Sequence, residues 1–77
     1  MKKRLDPETT LADRVLDAID SAPSGLTDFE LAARLDAYLS SINAARNALM
    51  KLGLVTRSGE RRPSGRGGTA AVWVVAA

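Results

Sequence analysis

The sequence predicts a mostly α-helical domain closed by a C-terminal β-hairpin, with three helices first and two strands last. Three observations carry that expectation. Apolar residues recur every three or four positions in stretches between Leu11 and Leu52, the spacing of a buried helix face. Residue types that start helices stand ahead of those stretches. After Gly53 the period changes, and β-branched residues gather in two short runs.

The first helix is expected over residues 7–21. Asp6 can cap it, Pro7 costs no hydrogen bond at the first helical position, and Glu8 suits the positive end of the helix dipole. Leu11, Val15, Ala18, Ile19 and Ala22 would form its buried face. Pro23, Ser24 and Gly25 then read as a turn. The second helix is expected over residues 28–35: Thr27 and Glu30 make a T-x-x-E capping box, and Leu26 and Leu31 stand where a hydrophobic staple places its pair. Leu31, Ala32 and Leu35 face inward. The third helix is expected over residues 41–52, capped by Ser40 or Ser41, with Ile42, Ala45, Leu49 and Leu52 inward and Gly53 as its stop. The hairpin is expected over 54–76, with strands at 54–57 and 70–75 around a Gly, Arg and Pro loop at 58–68.

Seventy-seven residues make one domain, placed here at residues 7–77 behind a flexible basic N-terminus at 1–6. The chain has neither Cys nor His, so disulfides, thiolate zinc sites and the commonest general base are missing. No catalytic residue, metal or cofactor is expected. No apolar run approaches the roughly 20 residues that cross a bilayer, and the charged start has no apolar segment after it. The reading is a soluble cytoplasmic protein without a membrane partner.

The net charge is only +2, but its distribution is uneven. Residues 1–4 carry +3, residues 5–36 carry −6, and residues 37–66 carry +5, with Glu60 the one anion among six cations. A basic segment on an acidic scaffold gives a small molecule one face that attracts a polyanion. The competing reading is that each half is merely solvated.

Three helices, the second short and closely linked to the third, followed by a hairpin, resemble a winged helix-turn-helix domain. Ala32 falls where that pattern needs a small residue, and Ile42 falls ten residues later, where it needs an aliphatic one. Leu49-Met50-Lys51-Leu52-Gly53-Leu54-Val55 resembles the L-x-x-x-G-L-V that ends the recognition helix and opens the wing in regulators of the MarR and ArsR type. The stretch from Leu26 to Val75 is also similar to short winged-helix proteins of actinobacteria and their phages, with their T-D-x-E-L-A start, S-x-V/I helix opening and V-W-V last strand. Asp36 departs from the pattern, which usually has Gly in the turn between its second and third helices.

The resemblance implies that the third helix enters a major groove of double-stranded DNA. Ser40, Ser41, Asn43, Ala44 and Asn47 then suit base edges, being short or carrying amide and hydroxyl groups. Arg46 suits phosphate or guanine, and Lys51 suits phosphate. In the wing, Arg57, Arg61, Arg62 and Arg66 lie among Ser and Gly, a loop able to follow a backbone or enter a minor groove. Lys2, Lys3 and Arg4 would act as an arm. The implied function is a small sequence-specific DNA-binding protein, a transcriptional regulator or phage control factor. One module buries limited surface, so a homodimer or cooperative binding on neighbouring sites is expected, although no dimerisation helix is visible. The alternative is a protein-interaction module that docks on a host or replication protein through Phe29, Tyr38 or Trp73, or through its acidic first helices, with Trp73 more naturally closing the core.

Overall fold

A computed structural model describes residues 10–76, and within them three helices precede a two-stranded antiparallel sheet. No helix among these residues is long and apolar enough to cross a membrane.

Helix α1 spans Leu11–Asp20. Its start differs from the expectation. Asp6, Pro7 and Glu8 lie outside the described residues, but Thr10 is extended (φ −85°, ψ 164°) and is itself the cap. Its Oγ1 accepts from the Asp13 amide at 3.2 Å, while its own amide donates to the Asp13 carboxylate at 3.4 Å. Thr10-x-x-Asp13 is thus a second capping box, shorter by one methylene than the usual Glu form. Val15, Ala18 and Ile19 are buried, with Leu11, Leu16 and Ala22 partly so. Ser21 ends the helix by returning both its amide and its hydroxyl to the Asp17 carbonyl.

The turn that follows must pass very close to the sheet. Gly25 has φ +83°, and a Cβ there would lie 2.6 Å from the Trp73 carbonyl oxygen and 2.6 Å from the side chain of Val72. Only glycine meets both demands. The approach lets Leu26 exchange two backbone hydrogen bonds with Trp73, at 3.0 and 2.9 Å. This extra bridge has no counterpart in the sequence reading.

Helix α2 spans Asp28–Leu35, as expected, and both arms of its capping box form: the Glu30 amide donates to Thr27 Oγ1 at 3.1 Å, and the Thr27 amide donates to Glu30 Oε1 at 2.8 Å. It ends at Asp36, which adopts the left-handed conformation (φ 53°, ψ 50°) that glycine would take more cheaply. The Ala37 amide closes the turn on the Ala32 carbonyl.

Helix α3 spans Leu39–Lys51 and begins earlier than predicted. Tyr38 is the cap and makes no side-chain cap bond; Ser40 and Ser41 sit inside the first turn. Leu39, the first residue of the helix, is half-buried. At the other end, Gly53 (φ +78°) donates to the Met50 carbonyl and Leu54 to the Leu49 carbonyl, which turns the chain away. Leu52, expected inward, is therefore 72% exposed, and Leu49 is the last buried residue of the helix.

The hairpin is longer in strand and shorter in loop than predicted. Strand β1 spans Val55–Pro63 and β2 spans Thr69–Val75, leaving residues 64–68 as the loop. Arg57 pairs with Trp73 and Arg61 with Ala71, so four steps on β1 oppose two on β2, and the excess at Ser58, Gly59 and Glu60 forms a bulge. β2, paired on one edge with β1 and at Trp73 with Leu26 on the other, supplies two buried residues in succession, Val72 and Trp73. Val15, Ile19, Leu31, Ile42, Leu49, Val55 and Trp73 share one core cluster.

Candidate nucleic-acid interface

The polar side of α3 divides into two parts with different partners. Ala44, Asn47 and Lys51 follow Ser40 at helical spacing, and this stripe faces away from the core. Asn43 lies about a fifth of a turn away and Arg46 about a third, toward the hairpin, and both are half-buried. Ser41 is exposed on the opposite flank.

Asp28, the first residue of α2, organises the half-buried part. Its carboxylate accepts from Arg46 Nη2 at 2.7 Å, from Arg46 Nε at 3.1 Å and from the Asn43 side-chain amide. The two charged side chains are buried together, Arg46 at 14% and Asp28 at 10% exposure. Arg46 also lies over the Trp73 ring, 4.2 Å from its centroid, and its Nη1 donates to Asn47 Oδ1 at 2.8 Å. Three of the five guanidinium N–H groups thus serve Asp28 and Asn47, a geometry that the planar fork permits and a lysine does not. The sequence pattern assigns Arg46 and Asn43 to DNA and gives no sign of Asp28. Asp28 stands 15 and 18 residues from its partners, and no local spacing rule spans that distance.

The hairpin arginines also separate. Arg62 donates to Glu30 Oε1 at 2.8 Å, to the Ser24 carbonyl at 2.8 Å and to the Gly25 carbonyl at 3.0 Å, tying β1 to the turn before α2. Arg61 is exposed and clamps Thr69 across the hairpin through its hydroxyl and its carbonyl. Arg57 is exposed, with its guanidinium 5.7 Å from the Trp73 centroid. Arg66, in the loop, lies over Phe29 at 5.4 Å. Asn43, Arg46, Arg57 and Arg61 thereby line one cleft of about 330 Å³ between α3, the start of α2 and the hairpin.

The three aromatic residues considered for a protein interface do not share a surface role. Trp73 is 3% exposed and belongs to the core, so it is withdrawn from that set. Phe29 is half-buried beneath Arg66, and Tyr38 is 83% exposed. Lys2, Lys3 and Arg4 lie outside the described residues.

Compared with family models, curated proteins and solved structures, the chain matches none.

Proposed function

We propose that the chain is a winged helix-turn-helix domain that binds double-stranded DNA sequence-specifically, as a cytoplasmic transcriptional regulator or phage control factor. α2 and α3 would form the helix-turn-helix, joined through the left-handed Asp36, and the β1–β2 hairpin would be the wing. The observation that carries the reading is the outward stripe Ser40, Ala44, Asn47 and Lys51 on α3, short and uncharged until its last member. Side chains of this size let a helix approach base edges, whereas carboxylates would meet phosphate repulsion. The carboxylate that does stand beside α3, Asp28, is already paired with Arg46. Beside the stripe, the exposed Arg57 and Arg61 line the cleft between α3 and the hairpin, where they would meet backbone phosphates, and Arg66 would extend the contact at the loop.

A salt titration of binding to mixed-sequence duplex DNA tests this reading. Four phosphate contacts, from Lys51, Arg57, Arg61 and Arg66, give a slope of log K against log salt of about −4. Absence of a complex at low salt would reject it.

One observation favours a second reading, a module that docks on another protein. Tyr38 is nearly fully exposed at the start of α3, where it would anchor an interface. Binding of that kind would respond weakly to salt and fail on Tyr38→Ala.

A further inference from the structure

We infer that Asp28 and Arg46 act as positioning residues that fix the amide orientations of Asn43 and Asn47, so that Asn43 offers DNA an acceptor and Asn47 offers it a donor. The inference rests on the DNA-binding reading above and adds which base edges the site accepts.

An ionised carboxylate only accepts, so the group that Asn43 turns toward Asp28 must be its NH2. The planar amide then directs Oδ1 away from that carboxylate. A guanidinium only donates, so Asn47 must turn Oδ1 toward Arg46 Nη1, at 2.8 Å, and its NH2 away from it. Neither amide can flip without setting like groups against each other. The lock is itself held in place, since Arg46 is fixed by two contacts to Asp28 and by the Trp73 ring at 4.2 Å. Asn43 and Asn47 stand one helical turn apart, so the surface presents an acceptor and a donor at a set spacing.

Base edges in the major groove respond differently to the two groups. Cytosine offers only the N4 donor, and guanine offers only the N7 and O6 acceptors. The Asn47 NH2 therefore disfavours cytosine at the position it reads. The Asn43 Oδ1 disfavours guanine at its own and favours the adenine N6 or cytosine N4 amino group.

The test selects duplexes from a random pool, at low salt, with the wild-type chain, Asn47→Asp and Asp28→Asn, each checked for folding by circular dichroism. The carboxylate introduced by Asn47→Asp would still accept from Arg46 but would present an acceptor outward, so the position it reads shifts toward cytosine by about fivefold or more. The amide introduced by Asp28→Asn can donate as well as accept, so Asn43 becomes free to flip and guanine at its position rises by a similar factor. Nitrogen-15 NMR of the unbound protein supplies a readout that needs no DNA. The Asn43 side-chain amide protons should exchange with solvent more slowly than those of Asn47, and Asp28→Asn should remove the difference. If the wild type selects a motif and both variants keep its base preferences, the inference is overturned while DNA binding stands. Equal exchange of the two amides overturns it as well. If the wild type binds no duplex at low salt, the DNA-binding reading falls and takes the inference with it.

Discussion

Arg46→Ala distinguishes a contact residue from a structural one. A surface DNA contact would lose affinity and leave stability nearly unchanged. The structure predicts the opposite order of effects. Removing the guanidinium strands the Asp28 carboxylate, 10% exposed, with Asn43 as its remaining partner among the hydrogen bonds that gather there. Breaking a buried pair on one side costs about 3 kcal/mol, and losing the cation–π contact with Trp73 adds about 1 kcal/mol. At roughly 0.05–0.15 kcal/mol per residue, a chain of 77 residues holds about 4–12 kcal/mol in all. A loss of about 4 kcal/mol therefore lowers the melting temperature by on the order of 20 °C and leaves a substantial unfolded fraction in the less stable part of that range. The assay is urea denaturation followed by circular dichroism, with the m-value checked for constancy. Asp28→Asn combined with Arg46→Met removes the charge from both sides and should recover at least about 2 kcal/mol of the loss. An Arg46→Ala protein within about 0.5 kcal/mol of wild type, but with weakened DNA binding, would show that the guanidinium works outward and refute the reasoning.

The remaining arginines separate by the same logic. Lys51→Ala and Arg57→Ala should each flatten the salt slope by about 0.9 with little change in stability, as read by anisotropy titrations at several salt concentrations. Arg62→Ala should leave the slope unchanged but cost about 1–3 kcal/mol in urea unfolding, because the carbonyls of Ser24 and Gly25 lose the donor that Arg62 supplies and Glu30 Oε1, which keeps the Thr27 amide, loses its ion pair. Gly25→Ala should cost about 2–4 kcal/mol in the same assay, since the new Cβ meets the Trp73 carbonyl at 2.6 Å in a left-handed backbone conformation. Gly25→Ala and wild-type proteins of equal stability would mean that the turn and β2 do not meet in this way.

What the sequence makes legible is whatever a few neighbouring residues decide. The Thr27–Glu30 box lies within four residues, and α2 begins and ends where that local chemistry and the apolar spacing put it. The start of α1 is ambiguous to the same rules, because Asp6-Pro7-Glu8 is the stronger signal by residue type and Thr10 with Asp13 makes the box observed. The start of α3 departs from expectation because Ser40 and Ser41 satisfy the cap preference by residue type, yet the helix begins at Leu39, ahead of both. At 58–68 the residue types favour a loop, since Ser, Gly and Pro are poor strand formers. Pairing with β2 overrides that preference at Arg61–Pro63, the bulge at 58–60 absorbs the mismatch, and residues 64–68 remain a loop. Of the candidate site, the outward stripe on α3 is legible as a periodic pattern. The partners of Asn43, Arg46 and Arg62 are not, since the pairings with Asp28 and Glu30 join residues at least 15 apart.

The charge asymmetry along the sequence therefore has two causes that sequence alone merges. Part of it is internal pairing: Arg46 and Arg62 from the basic half neutralise Asp28 and Glu30 from the acidic half, so those arginines fasten α3 and β1 to α2. The other part faces outward at Lys51, Arg57, Arg61 and Arg66. On the proposed DNA-binding reading, dividing them lowers the charge available to phosphates and so limits non-specific affinity, which scales with the number of contacts made. A DNA-binding surface with few free cations must draw more of its discrimination from base edges. That requires polar groups whose direction is fixed before binding, because an amide that rotates freely accepts any base. The arginine withdrawn from the phosphate contacts is also the one that holds Asn47 in position. On that reading, the loss of a cation from the proposed interface and the gain of a fixed donor on it are a single structural event.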